Sequence, residues 1–443
     1  MNIPGLKYLT DYRKRVKDNV ILSRLSGVLG IDILVKASAF LLIPFYLQFM
    51  TQAEFGLYNY LISIIQTISL ILNLGMYIPV SKYYHSNSLR NERGTLLFTV
   101  FTSLTFFLAI CLLPVYLFGL DYPVISLIFS GGLNYEQYRP FVFLALLVTV
   151  LSFTLSSYLF TSEKIRQIKA YSISRILFVN VLSILAIAFT SSDKVTVRLF
   201  VTFGAELVLL IIFGFSLVKE MLPNFSRKIL RSALRMGIPV MFSAIFGIVI
   251  NFGDKFFLEK YGTLVDLSNY YLAFSFASII PLVFASFQNV WLPLFMKEKD
   301  VQLNYTNTKK QAGKLILIFL GLSALMWIVL QLLLMVRIVP GKYYQVTYIL
   351  PILCCSQIVG SITGLFSNYF VYFEKTQIVT ITGMVVSICS LGLALLLIPG
   401  LNVYWAALTA LISNAIYLAI YVVLVKKITS KHINKNLSTI TLP

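Results

Sequence analysis

The chain has 443 residues, 58% of them hydrophobic and only 12% charged, which is about half the charge of an ordinary soluble domain. That composition excludes a soluble protein and places the chain in a membrane. Lys and Arg number 36 against 17 Asp and Glu, a net charge of +19; in a membrane protein such an excess points to topology and an anionic cargo, not to nucleic acid.

The first nineteen residues are basic. No short apolar core with a small-residue cleavage site follows, so an uncleaved first span is expected, not a secretory signal. That span, Val20 to Met50, carries Arg24, Asp32 and Lys36. A charge at the bilayer centre costs at least about 2.5–3.5 kcal/mol, so such residues face a protein interior or a wet cavity. Asp32 and Lys36 are four apart and share one helical face. Eleven further apolar segments follow, at about 55–80, 95–119, 139–160, 168–190, 197–218, 233–253, 267–294, 314–336, 345–371, 376–398 and 403–425. Twelve spans are therefore expected, each long enough to cross a bilayer.

Orientation follows from the basic residues. With the N-terminus in the cytoplasm, 26 of them fall on inner segments and 7 on outer loops, while Arg24, Lys36 and Arg175 remain within spans. Both termini are thus expected inside. A repeat supports the even count. Ser157-Tyr158-Leu159-Phe160 with Glu163-Lys164 resembles Asn368-Tyr369-Phe370-Val371 with Glu374-Lys375, at an offset of 211 residues. Arg24-Leu25 and Arg235-Met236 share that offset, and Asn59-Tyr60 and Asn269-Tyr270 are 210 apart. Spans 1–6 and 7–12 then form parallel repeats about an axis along the membrane normal, giving six-helix halves at 1–222 and 223–443. The basic stretch Lys219 to Arg235 joins them. It reads either as a short amphipathic surface helix or as plain retention of positive charge on the inner side.

Cys111, Cys354, Cys355 and Cys389 lie in apolar runs without ligand spacing, and His85 and His432 stand beside loops. Neither a disulfide nor a metal site is expected. The longest outer loop, about Leu120 to Tyr138, carries only Asp121 and Glu136 as acids. No nucleophile–base pair is visible, so an enzyme is not expected.

Three stretches carry a family resemblance. Leu42-Ile43-Pro44-Phe45-Tyr46 followed by Gln52-Ala53-Glu54-Phe55-Gly56-Leu57-Tyr58 resembles the junction after the first span of polysaccharide-exporting flippases. Asn251-Phe252-Gly253-Asp254-Lys255 is similar to the acid–base pair that ends their seventh span, and Tyr404-Trp405-Ala406-Ala407 to the start of their twelfth, with Trp405 where glycine is usual. The family is the Wzx-type flippase group of the multidrug/oligosaccharidyl-lipid/polysaccharide exporter superfamily. The resemblance implies an all-α polytopic membrane protein of about twelve transmembrane helices. They would form two six-helix bundles around a central cavity, as in MATE transporters. It also implies an undecaprenyl-diphosphate-linked oligosaccharide, such as an O-antigen unit, flipped to the outer leaflet of a bacterial plasma (inner) membrane, with membrane lipid and polysaccharide polymerase or chain-length proteins as partners. A cation-coupled drug antiporter of the same superfamily is the alternative; a polymerase or glycosyltransferase is less favoured.

A diphosphate in a wet cavity calls for cations, because charge-assisted hydrogen bonds are the strong ones. The candidates are Arg24, Lys36 and Arg175; the alternative for the arginines is snorkelling to the surface, and for Lys36 neutralising Asp32. Glu206 lies near the middle of the sixth span. At rest it is expected to be protonated or paired, which makes it, with Asp32, the candidate for coupling to an H+ or Na+ gradient. Asp254 and Lys255 are expected at the outer interface as anchors or gate contacts. No cofactor beyond such an ion is implied.

Overall fold

The computed structural model describes residues 40–86, 90–129, 134–399 and 402–440. In hydrocarbon, every backbone N–H and C=O must find its partner within the segment, so long apolar runs become helices. In chain order they are α1 (Phe40–Phe49), α2 (Gln52–Leu72), α3 (Tyr77–Ser86), α4 (Arg90–Phe118), α5 (Tyr122–Ile128), α6 (Arg139–Thr161), α7 (Ile165–Ser174), α8 (Leu182–Phe189) and α9 (Lys194–Val218). A π-helical turn, Arg175–Val181, links α7 to α8. The second half holds α10 (Arg227–Tyr261), α11 (Leu264–Ala277), α12 (Ile279–Lys297), α13 (Val301–Met335), α14 (Val346–Tyr372), α15 (Thr376–Leu397) and α16 (Asn402–Ile440). Among the described residues there is no strand, and eleven segments are long and apolar enough to cross a membrane. They coincide with the second to twelfth expected spans. Of the first, α1 is described; Arg24, Asp32 and Lys36 lie outside the described residues.

Local chemistry fixes where several helices begin. Asp193 Oδ2 accepts the Thr196 amide at 3.0 Å to start α9, and Asp300 Oδ1 accepts those of Gln302 and Leu303 to start α13. Thr263 and Asp266 form a reciprocal capping box at α11, satisfying amides that would otherwise be orphaned. Glu54 accepts the Thr51 amide at 2.7 Å before α2. The basic linker is not a separate surface helix. Ser226 Oγ accepts the Ile229 amide at 3.4 Å, and α10 runs unbroken from Arg227 to Tyr261, 35 residues. Pro239 is the only proline within it, and it lies beyond the basic turns.

The helices pack into two compact units. Among the described residues, unit 1 takes in Leu72–Leu113 and Pro140–Ile238; unit 2 takes in Pro44–Ile71, Pro114–Arg139 and the chain from Pro239. Unit 2 thus draws on both sequence halves. Pro44, Pro114 and Pro239 lie at the boundaries and inside helices. A proline removes one ladder hydrogen bond, so the helix on either side can follow different neighbours. Unit 1 has a core around Val100, Leu104, Val150, Leu155 and Tyr158. In unit 2, α14 and α16 share the most extensive interface.

The repeat is written in the backbone. Glu163 and Glu374, 211 residues apart, close α6 and α14 with left-handed φ values of 52° and 56°. Two non-glycine residues in that sparsely occupied region, at the same offset, mark one device used twice. Tyr158 and Tyr369 just ahead of them are both buried.

Candidate functional site

Two intramembrane charges described in unit 1, Arg175 and Glu206, meet. Arg175 Nε lies 3.0 Å from Glu206 Oε2, and Tyr171 OH donates to Glu206 Oε1 at 2.8 Å. Two helices and the π turn bring them together. Tyr171 stands on α7 four residues before Arg175, so both project from one face. Arg175 opens the π turn, whose wider winding re-aims side chains and recurs at functional sites. Glu206 comes from the middle of α9, which packs along α7, the π turn and α8. The Glu206 side chain is 6% exposed and that of Arg175 is 45% exposed. Only Nε is spent on Glu206, so the guanidinium keeps donors for an anion. It also sits over the Tyr171 ring, 5.6 Å from its centroid, and lines a small cleft of about 80 Å³ with Ser156 and Ser172. Glu206 is thus paired, with Arg175 on one oxygen and Tyr171 on the other. Read from the sequence alone, Arg175 and Glu206 have separate roles; their contact is not legible there, although the four-residue spacing of Tyr171 from Arg175 is a usable signal.

Asp254 and Lys255 stand in unit 2, just past the end of the apolar stretch Arg227–Ile250. Their side chains are 5% and 6% exposed. The apolar window ends at Gly253, yet Phe256, Phe257 and Leu258 carry α10 on to Tyr261 and place the pair two turns inside the helix. Lys255 Nζ lies 3.3 Å from Asp254 Oδ1, Tyr270 OH donates to Asp254 Oδ2, and the ammonium is 4.5 Å from the Phe274 ring centroid. Lys255 also borders a cavity of about 390 Å³ with Ser63, Gln66 and Thr67 of α2. That cavity is polar on the α2 side and aromatic at Phe252 and Phe274.

The stretch from Gln52 to Tyr58 has a structural reason of its own. A Cβ on Gly56 would lie 2.1 Å from the Leu264 carbonyl oxygen, so only glycine lets α2 and α11 approach backbone to backbone. Gln52 Nε2 donates to the Lys342 carbonyl at 2.8 Å, Tyr271 OH to Ser63 Oγ at 2.8 Å, and Asn269 Nδ2 to Gln345 Oε1 at 2.9 Å. In unit 1, Gly75 meets the Gly237 backbone in the same manner, with a Cβ 2.5 Å from the Gly237 oxygen.

Two ion pairs sit beyond the helix ends. Arg139 Nε lies 2.8 Å from Asp121 Oδ2. Burial pushes the Asp121 carboxyl up, but the Arg139 guanidinium outweighs it and holds the group below the usual carboxylate range. Lys164 Nζ lies 2.6 Å from Glu220 Oε1, and Tyr84 OH donates to Glu220 Oε2 at 3.2 Å. Burial again opposes ionisation, and Lys164 again lowers the Glu220 carboxyl below its ordinary value. Among the described residues, no group of three His, Cys, Asp or Glu side chains is placed to hold a metal ion.

Residues 25–299 match the family profile described as "Polysaccharide biosynthesis protein". A search of curated proteins gives no match. The fold is similar to several solved membrane transporters. One is a lipid II flippase, MurJ, in an inward closed conformation: 14% identity, 89% of this chain and 87% of that chain covered, TM-score 0.68. Another is an inward-facing multidrug resistance MATE family transporter of the MOP superfamily, at 13% identity, 89% and 95% coverage and a TM-score of 0.70. An outward-facing MATE transporter gives 15% identity, 92% and 95% coverage and a TM-score of 0.59.

Proposed function

The chain belongs to the polysaccharide biosynthesis protein family, and from that premise we propose that it is a flippase. Its cargo is an undecaprenyl-diphosphate-linked oligosaccharide, an O-antigen unit or another surface polysaccharide, moved from the cytoplasmic to the outer leaflet of a bacterial inner membrane. The observation that carries the reading is the Arg175–Glu206 pair. A guanidinium held at a buried carboxylate, with donors to spare, can pass from an internal anion to an external one. A diphosphate suits it in geometry and charge.

The pair also suggests how direction is imposed. When Arg175 turns to the diphosphate, Glu206 keeps only the Tyr171 hydroxyl. The place that the guanidinium leaves could then be taken by a coupling cation, H+ or Na+, drawn in as cargo binds. Release restores the ion pair and expels it. Arg24 and Lys36 would complete the cationic set, with Asp32 as their counter-charge, and Asp254–Lys255 would act as a buried anchor of α10 at a gate. The two compact units, which do not follow the sequence halves 1–222 and 223–443 strictly, would be the moving bodies, with both termini in the cytoplasm. A polymerase and a chain-length protein would receive the product.

Removing the protein tests the reading. Lipid-linked oligosaccharide should accumulate on the cytoplasmic face, and wild type should clear it while Arg175→Ala should not. If no lipid-linked sugar accumulates but sensitivity to cationic drugs changes, the antiporter alternative replaces it. A reporter fused after Asp193 that proves cytoplasmic would overturn the topology.

A further inference from the structure

Unit 2 encloses a cavity of about 440 Å³ among α10, α12, α14, α15 and α16. Among its described lining residues, none carries a charge. Gln357, Ser361, Thr380, Asn414 and Tyr417 supply polar groups, and Phe246 and Phe284 supply rings. Ser361 is 5% exposed, and among the described residues no group hydrogen-bonds to its hydroxyl. Asn414 spends its Nδ2 on Ser356 Oγ at 2.9 Å, and its Oδ1 stays beside the open Gly360, 3.7 Å from where a Cβ would lie. Tyr417 OH borders Gly383 in the same way, at 3.6 Å. Donors and acceptors thus converge on a space kept open by glycines.

The repeat sharpens the point. The 211-residue offset that relates Glu163 to Glu374 carries Glu206 to Tyr417 and Arg175 to Val386. Where the first copy closes on an ion pair, the second leaves an uncharged, hydroxyl- and amide-lined space. Its chemistry restricts what it can take. Hard cations are held by carboxylates and phosphate by Arg or Lys; the walls offer neither. A purely apolar ligand would leave the polar groups desolvated without partners, which is unfavourable. What remains is a neutral ligand with many hydroxyls and one apolar face. The volume lies within the range of small-molecule sites, about 300–1,000 Å³.

We propose that this cavity is the subsite for an uncharged sugar of the lipid-linked cargo. Gln357, Asn414 and Ser361 bond its hydroxyls, and Phe246 or Phe284 covers the C–H face of the ring. The assignment rests on the flippase reading for its purpose, but not for its test. The full chain, with its four native cysteines replaced and carrying Ser361→Cys, is purified into lipid nanodiscs. The rate of reaction with a small neutral thiol reagent is then followed. Glucose, galactose or N-acetylglucosamine in millimolar excess should slow the reaction several-fold. Glucuronate and sodium chloride should not, and adding Asn414→Ala should abolish the protection. A cysteine that never reacts, protection by sodium chloride alone, or equal protection by glucuronate would overturn the assignment. As a check against misfolding, wild type is reconstituted and flipping of isoprenyl-diphosphate-linked N-acetylglucosamine is compared with Asn414→Ala, which should raise KM with kcat preserved; an unchanged KM also overturns it. Protection without wild-type flipping would sink the flippase reading and leave the sugar site standing. Flipping without protection would do the reverse.

Discussion

The two copies of the repeat share a backbone and differ in what they enclose. Both close a long helix on a left-handed glutamate, Glu163 and Glu374. In the first copy Tyr158 lies beside the Lys164–Glu220 ion pair, and the helices behind it hold Arg175 on Glu206. In the second, Tyr369 bonds the Thr308 hydroxyl at 2.9 Å and packs edge-on against Phe295, and the helices behind it line a neutral cavity. At these corresponding places one copy thus carries a buried ion pair and the other an uncharged cavity. This division suits the proposed cargo, which is part diphosphate and part sugar.

The largest expected effect lies in the charged copy. Arg175→Met leaves Glu206 buried with Tyr171 alone and should destabilise the protein at neutral pH by about 3 kcal/mol, less whatever solvent reaches the half-exposed arginine. The double variant Arg175→Met/Glu206→Gln should recover most of that loss, because no uncompensated charge remains. Thermal unfolding in detergent reads both. A double variant no better than the single would mean the pair acts through packing. By contrast, Tyr417→Phe at the corresponding place in the neutral copy removes one hydroxyl contact, to Tyr421 at 3.2 Å. It should cost only about 0.5–1.5 kcal/mol.

Much of this was legible in the sequence. Hydropathy placed eleven helices, and the 211-residue offset anticipated the matched Glu163 and Glu374. Their left-handed backbone was not legible, since glutamate carries no turn signal. The pairing of Arg175 with Glu206 was hidden because the two stand 31 residues apart on separate helices, and sequence spacing reports only neighbours on one helix. The π turn carries no proline or glycine to announce it. The burial of Asp254 and Lys255 was not legible, because an apolar window ends where charge begins and the partner of Asp254, Tyr270, stands on the next helix. Gln357 and Asn414 were visible as polar residues within spans, but their convergence on one cavity depends on the packing of α14 against α16.

The ends of the two copies should also differ in acid. The Glu220 carboxyl is lowered in the folded protein. Its contribution is therefore complete above the unfolded value of about 4.3 and is lost as pH falls through the folded one. With its side chain 30% exposed, the effect should stay below about 1 kcal/mol. Lys164→Met should flatten that part of the pH–stability curve, whereas Thr308→Val in the second copy should leave its shape unchanged. A smaller effect again is expected from the backbone. Glu163→Gly and Glu374→Gly each relieve a left-handed non-glycine residue but loosen the unfolded chain, so each should shift stability by less than about 1 kcal/mol. The two shifts should match in sign and size. A large difference would mean that the shared backbone is coincidental.

The most direct test of the account is flipping itself. The purified protein is reconstituted into liposomes holding a fluorescent undecaprenyl-diphosphate-linked oligosaccharide, and a membrane-impermeant quencher reports its transfer between leaflets with and without a pH gradient. Wild type should move the lipid faster than protein-free liposomes, the gradient should accelerate it, and Glu206→Gln should remove the acceleration while leaving slow exchange. Transfer no faster than in protein-free liposomes would contradict the account.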